Sequence, residues 1–350
     1  MTDSPDRPDR KVTSIDVARR AGVSQSAVSR VFTPGASVSK KMEARVRAAA
    51  DDLGYRPNVL ARSLITGRSR IIGLVVAYLD NAFYPDALEK LSAALQARGY
   101  HILIFLAGNS HEDVDSVIRD LLDYQVDGII TASINLSGEL TEMCRAAGIP
   151  VMLFNRGITG SGLSTVTSAN RVGGARVAEF LLAGGHRRIA HISGWMGAST
   201  GRDRREGFVA ALHAAGQPLH AEADGLYNRD TAAAAARAMV DSADPPDAIF
   251  VGNDHMAMAV MDTLRHVVGM DVPGDISIIG YDDVPMAAWP SFRLTTLRQP
   301  VNRMVQATVD TLLAEIEAGR APGTVTEITG ELIVRSSARV PTRLEQGQTP

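Results

Sequence analysis

Between residues 24 and 30 the chain carries Ser24, Gln25, Ser26, Ser29 and Arg30. Hydroxyl, carboxamide and guanidinium groups so closely spaced can grip phosphate oxygens and read base edges. Much further along, Asn155, Arg204, Asn253 and Asp282 stand near the ends of short apolar runs. Amide and charged groups converging on one pocket suit hydrogen bonding to a small hydroxyl-rich molecule, although strand-end capping would use the same residue types. Phe83 and Tyr84, in DNAFYPD, serve either as an apolar wall for a ring or as ordinary aromatic packing.

Bond-making chemistry lacks its usual parts. No G-x-G-x-x-G or G-x-x-x-x-G-K-[ST] loop follows a strand pattern, and no G-x-S-x-G elbow occurs. The eight histidines are scattered, and His186 and His191 lack metal-ligand spacing. Cys144 is the one cysteine, in the amphipathic pattern ELTEMCRAAG, so it has no disulfide partner and is expected in the core. No enzyme, metal or cofactor is expected. A DNA-binding regulator that responds to an effector stands against a free-standing sugar-binding protein and a sugar-processing enzyme of similar fold.

The distribution of charge favours the first. Residues 1–70 hold 14 Lys/Arg against 7 Asp/Glu, and the remainder 22 against 32. A basic head on an acidic body brings one end to a polyanion. No run approaches the ~20 apolar residues that span a bilayer, and MTDSPDRPDRK has no apolar signal stretch, so a cytoplasmic protein is expected.

The elements that must position the first set are short helices. After a lead over 1–10 that is expected to be disordered, Thr13 and Asp16 form a capping-box pattern for a helix ending near Arg20. Gly22 turns the chain, and Ser24 caps a second helix over Gln25–Phe32. Ser39 caps a third, which runs to Asp52 with Val46, Ala49, Ala50 and Leu53 inward and stops at Gly54. Two such helices joined by a glycine turn read as a helix-turn-helix, here within a head over 11–56.

From Ile71 the pattern becomes apolar runs alternating with amphipathic stretches: IIGLVVA, PDALEKLSAALQARG, YHILIFLA, HEDVDSVIRDLLDYQ, VDGIIT, and onward to ISIIGYDD. This is the signature of βαβ units and parallel sheets, repeated too often for one small unit. An α/β fold of two doubly wound parallel-sheet lobes is expected, with the ligand between them at the carboxyl ends of the strands.

VTSIDVARRAGVSQSAVSRVF followed by VSKKMEARVRAAADDLGYRPNVLARSLITGRS resembles the DNA-binding head of the LacI/GalR family, and GHRRIAHISG, RDRREGFVAAL, AIFVGNDHMAMAV, ISIIGYDD and LTTLRQPVNRM extend the resemblance over about residues 12–335. It implies a periplasmic-binding-protein-like core, a homodimer, near-palindromic operator DNA, a sugar or sugar-acid effector and repression of a carbon-utilisation operon. Gln25, Ser26 and Arg30 fall where the family reads bases, and Thr13, Ser24, Ser29 and Asn58 at phosphate-contact or capping positions. Residues 57–70 match a hinge helix and linker, in which Ala61 and Leu64 face the minor groove and Leu64 is the wedge at the operator centre. Phe32-Thr33-Pro34 departs from the family pattern.

The resemblance also assigns the effector contacts: Arg204 as a paired donor, Asn253 and Asp282 to hydroxyls, with Asn155, Thr200 and an aromatic face from Tyr227 completing the pocket; Asp254 caps the next helix. The core is expected over 71–340, lobe one from 71–161 and 291–322 and lobe two from 162–290 and 323–340, with a flexible tail over 341–350. The segment after Val334 lacks leucine heptads for a tetramerisation bundle.

Overall fold

The computed structural model describes residues 12–33, 36–56, 68–77, 79–107, 111–132, 137–158 and 160–341. They form two compact units, divided between Arg70 and Ile71. Asn58, Ala61 and Leu64, and most of the expected hinge and tail, lie outside the described residues.

The first unit is built from α1 (Ser14–Ala21), α2 (Gln25–Val31) and α3 (Lys40–Asp52). The Thr13 amide and hydroxyl both donate to the Asp16 carboxylate, at 3.0 and 2.7 Å. Gly22 ends α1 at φ +60°, a conformation costly for any residue with a Cβ. Ser24 and Ser39 cap α2 and α3 by accepting from the Ala27 and Met42 amides. Val17, Ala18, Val28, Val31, Val46 and Ala50 close a small core, and Arg45 donates to the carbonyl of Gly22 at 3.0 Å, tying α3 to the turn. Phe32, the departure from the family pattern, packs on Tyr55 with ring centroids 6.0 Å apart.

The second unit has two lobes. In lobe one, β1 (Ile71–Val76), β2 (His101–Leu106), β3 (Gly128–Ala132), β4 (Val151–Phe154) and β5 (Ser164–Ser168) alternate with α4 (Phe83–Ala97), α5 (His111–Asp123) and α6 (Gly138–Ala146). In lobe two, α7 (Asn170–Ala183), β6 (Ile189–Ser193), α8 (Ser199–Ala214), β7 (Ala221–Asp224), α9 (Arg229–Val240), β8 (Ala248–Val251), α10 (Asp254–Asp262), β9 (Ser277–Asp282) and β10 (Thr295–Arg298) follow. The chain returns to lobe one for α11 (Val301–Ala318) and β11 (Val325–Ile328), then to lobe two for β12 (Leu332–Ile333).

The sheets run β11-β5-β4-β3-β1-β2 and β12-β10-β9-β8-β6-β7. Every pairing is parallel except β10 with β12. Central strands such as GIITA and VMLF are buried at every position because helices cover both faces. Cys144 sits in the core of lobe one, where burial pushes its thiol up to about 11. No helix among the described residues is long and apolar enough to cross a membrane.

The chain passes between lobes at different places from those expected. β5 and β11 belong to the first sheet and β10 to the second, so the crossings fall near residues 169, 299 and 330 rather than 161, 290 and 322. The displaced first boundary has a physical cause: β5 reads STVTS, with no apolar run to announce a strand, yet all five residues are buried. Its hydroxyls are satisfied locally, Thr167 donating to the Asn155 carbonyl at 2.7 Å.

The same strand meets a buried acid. The Ser164 hydroxyl donates to Glu315 of α11 and accepts from the Thr324 amide at 3.0 Å, while Glu315 Oε2 has no partner among the described residues. Burial raises the Glu315 pKa above the ordinary carboxylate value, against the smaller opposing effect of Ser164. A pKa raised on folding contributes stability below the unfolded-state value and loses it as pH rises through the folded-state value. Glu315→Gln, which removes the ionisation, should therefore gain thermal stability over the native chain as pH rises, on the order of 2 °C by pH 8. Melting curves between pH 5 and 8 check this; a constant difference across that range would contradict it.

Candidate functional site

On the first unit, Ser24, Gln25, Ser26, Ser29 and Arg30 are all exposed. Ser24 and Ser26 lie 2.9 Å apart through their hydroxyls, and Gln25 donates to the Ser14 hydroxyl at 3.0 Å. The start of α2 thus presents donors and acceptors outward while Ala27, Val28 and Val31 hold it from behind. Thr13 is half-buried at the head of α1.

In the second unit a cavity of about 540 Å³ lies between the lobes. Lobe one supplies Tyr84, at the start of α4, and Asn155, just after β4. Lobe two supplies Thr200 and Arg204, one helical turn apart on α8, with Tyr227, Asn253 and Asp282 from the ends of β7, β8 and β9. Seven of the eight residues expected at the effector site are brought together. Phe83 is not: it turns into the core, stacked on Phe154 with centroids 6.2 Å apart, and only its neighbour Tyr84 faces the cavity. Successive helix residues point about 100° apart, so one ring of the pair had to turn away.

Arg204 is fixed from several sides. Its Nε donates to Asn170 at 2.9 Å, its Nη1 donates to the Gly252 carbonyl at 2.7 Å and lies 3.6 Å from Asp282, and the guanidinium stacks 3.7 Å above the Tyr281 ring. Burial alone disfavours its charge, but Tyr227, Asp282 and Tyr281 more than offset this and hold its pKa above the ordinary value. The fork is therefore oriented before any ligand arrives.

Asp282 accepts from Gln299 at 2.7 Å and from Asn81 at 3.2 Å. Desolvation nevertheless raises its pKa, against Arg204, Gln299 and Asn81. Its φ of +131° and the +58° of Asp283 mark a strained turn that lifts the carboxylate off the end of the strand. Asn155, at φ +71°, donates to the Tyr84 hydroxyl at 3.1 Å and keeps a buried Oδ1 with no partner among the described residues. That oxygen accepts from whatever donor enters.

Thr200 and Tyr227 share a hydroxyl contact of 2.8 Å. The Tyr227 ring lies where a Cβ on Gly194 would come within 2.1 Å, and Arg156 of lobe one stands 5.2 Å from its centroid. Tyr227 thus serves as a contact between lobes as well as a wall.

Asn253, not Asp254, caps α10, its Oδ1 accepting from the Met256 amide at 2.9 Å. Asp254 lies one residue inside the helix, fully buried, accepting from the Val284 amide at 2.9 Å and the Thr296 hydroxyl at 2.5 Å. Its pKa is pushed up to about 7 by burial and by Asp282. Caps need an extended backbone, and Asn253 has φ −156° and ψ 167°, whereas Asp254 already follows the helix.

Sequence reasoning missed Asn81 and Arg156, although each lies within three residues of an expected site residue, and Asn170, which holds Arg204 from a helix 34 positions earlier. His191 is spent on packing: it stacks on Phe250 at 4.8 Å and burial pushes its pKa down to about 4. Among the described residues no group of His, Cys, Asp and Glu could hold a metal ion.

Comparison with known proteins places both units. Residues 14–58 match the model of bacterial regulatory proteins of the lacI family, and 178–338 a periplasmic binding protein-like domain. The chain is 33% identical over 327 residues to the HTH-type transcriptional repressor PurR of Vibrio vulnificus (strain CMCP6), covering 93% of this chain and 98% of that one. It is 30% identical to the ribose operon repressor of Escherichia coli (strain K12), covering 93% and 99%. The lac repressor dimer bound to operator and the anti-inducer ONPF superposes with a TM-score of 0.84 at 26% identity, over 94% of this chain and 99% of that one. The complex of the transcriptional regulator CelR with cellobiose gives 0.69 at 30%, over 94% and 100%. With its helix-turn-helix, its paired parallel-sheet lobes and relatives matched almost end to end, the chain belongs to the lacI family of DNA-binding transcriptional repressors and is not an enzyme.

Proposed function

We propose that this repressor binds a near-palindromic operator as a homodimer and that a small polar effector, a sugar or sugar derivative, held between the lobes sets its operator affinity. On this reading it governs a carbon-utilisation operon. The observation that carries the reading is the cavity between the lobes, where the oriented fork of Arg204, the Asp282 carboxylate and the unpartnered Asn155 Oδ1 offer donors and acceptors to a hydroxyl-rich ligand. A relative solved with cellobiose supports a sugar, and a relative solved as a dimer on operator supports the assembly. So do the exposed Ile104 and Leu106 on the edge strand β2 and the exposed Trp289 of lobe two, apolar groups that a second copy would cover.

In this reading Gln25, Ser26 and Arg30 face base edges, Thr13, Ser24, Ser29 and Asn58 support phosphate contacts and caps, and Ala61 and Leu64 enter the central minor groove. Effector and operator oppose or assist each other by preferring different lobe arrangements, with a coupling of ~1–3 kcal/mol.

The test is salt-dependent binding to the protein's own upstream DNA and to scrambled DNA, with and without pools of sugars, sugar acids and nucleobases. Specific binding shifted by the sugar pool, from a particle of dimer mass in light scattering, is the expected result. Arg30→Ala should weaken specific binding by about 10–100-fold, a loss of ~1–3 kcal/mol, and change non-specific binding far less. Equal loss on both DNAs would remove Arg30 from base reading, and a shift by nucleobases alone would overturn the sugar assignment.

A further inference from the structure

A second cavity in the two-lobed unit, of about 440 Å³, shares only Asp282 with the effector cavity. Its walls come from the first turns of α4, the end of β9, the segment from Arg298 to Arg303 that leads from β10 into α11, and residues 329–331 after β11; of its carboxylates, Asp86, Asp282 and Asp283 face cations of their own and Glu331 is exposed.

That last segment carries three uncompensated groups. Gln299 is 3% exposed; its Nε2 is used on Asp282, and its buried Oε1 has no partner among the described residues. Helix α11 starts with no side-chain cap and no acidic residue in its first turn, and the backbone N–H groups of Asn302 and Arg303 meet no acceptor among the described residues. Such a helix start is electropositive. Arg303 is exposed and makes no ion pair among the described residues, whereas the other two cations of the lining are engaged, Lys90 by Asp86 and Arg298 by Asp283. A single ligand satisfies all three groups if it brings negative oxygens to the helix start and a hydrogen-bond donor to Gln299.

We propose that this cavity is a second small-molecule site, for an oxyanion with a hydroxyl beside it: the phosphate or carboxylate lies against the start of α11 and Arg303, and the hydroxyl donates to Gln299. The site is separate from the effector cavity and does not depend on the identity of that effector. Because Gln299 also holds Asp282, a ligand here touches a group that lines both cavities.

The test is calorimetric titration of the full-length protein with glucose 6-phosphate and with gluconate, using glucose and inorganic phosphate as controls, repeated on Arg303→Ala and on Thr200→Val, which alters only the effector cavity. Binding of either hydroxylated anion, weakened about 10-fold or more by Arg303→Ala and unchanged by Thr200→Val, is the expected result. Which of the two binds decides between phosphate and carboxylate. The proposal is overturned if neither binds, if inorganic phosphate binds as tightly as glucose 6-phosphate, if Arg303→Ala has no effect, or if Thr200→Val removes the binding and so places the probe in the effector cavity.

Discussion

Arg204→Met is expected to lower affinity for the effector at least 100-fold, about 2.7 kcal/mol, and with it the response of operator binding to that effector. The side chain is 2% exposed, so methionine fills most of its volume but supplies no donor to a ligand. The same change leaves Asp282 buried with no cation beside it, and breaking a buried pair from one side costs ~3–5 kcal/mol. Losing that cation removes the largest effect opposing the desolvation of Asp282, so its pKa rises further and the neutral carboxyl, a poorer acceptor, is favoured. Arg204→Lys should restore little, because an ammonium cannot reproduce the fork that reaches Asn170 and Gly252 together. Calorimetric titration of the effector on both variants checks this; affinity within threefold of the native value for Arg204→Met would remove Arg204 from the ligand site.

Gly174→Ala should be strongly destabilising for lobe two. Helices α7 and α8 touch backbone to backbone, and a Cβ on Gly174 would lie 2.1 Å from the Arg204 carbonyl oxygen. Gly207 meets α7 in the same way, its Cβ position 1.9 Å from the Arg171 carbonyl oxygen. Alanine is normally the better helix former by about 1 kcal/mol, so stabilisation is expected from propensity alone. The contact reverses the sign, because backbone cannot swing aside as a side chain tip can. Separating the helices should cost about 3 kcal/mol, a fall in melting temperature of about 6–10 °C. Since α8 carries Thr200 and Arg204, effector affinity should fall in parallel. A melting temperature within about 2 °C of native would show that the helices adjust freely.

These two sites differ in how far sequence could reach them. The head was legible because its signals are local: Thr13 with Asp16, Ser24, Ser39 and Gly22 each act on residues no more than a few positions away. The strand and helix rhythm was equally plain. Arg204 could be carried over from a family motif, but Asn170 could not, since its role depends on two helices meeting at glycines. The lobe boundaries failed for a related reason: membership of a sheet is decided by pairing across 160 residues, as between Thr165 and Val325, and STVTS gives no apolar signal. Between Phe83 and Tyr84 no sequence rule could choose, because the choice is made by Phe154 and Asn155, which arrive from another strand.

The three crossings between the lobes also order events in time. The first unit has all its described helices by Asp52, so it can fold as soon as it leaves the ribosome. Lobe one cannot: β5 stays an edge strand until Val325–Ile328 pair with it, and Glu315 has no hydroxyl partner until α11 is in place. Lobe two waits for Leu332 and Ile333. A polypeptide halted anywhere between residues 60 and 320 would therefore carry a finished DNA-binding head on an incomplete body with bare sheet edges, a target for chaperones and proteases. Synthesis itself would then act as a checkpoint, since only chains read past Ile333 acquire two complete sheets.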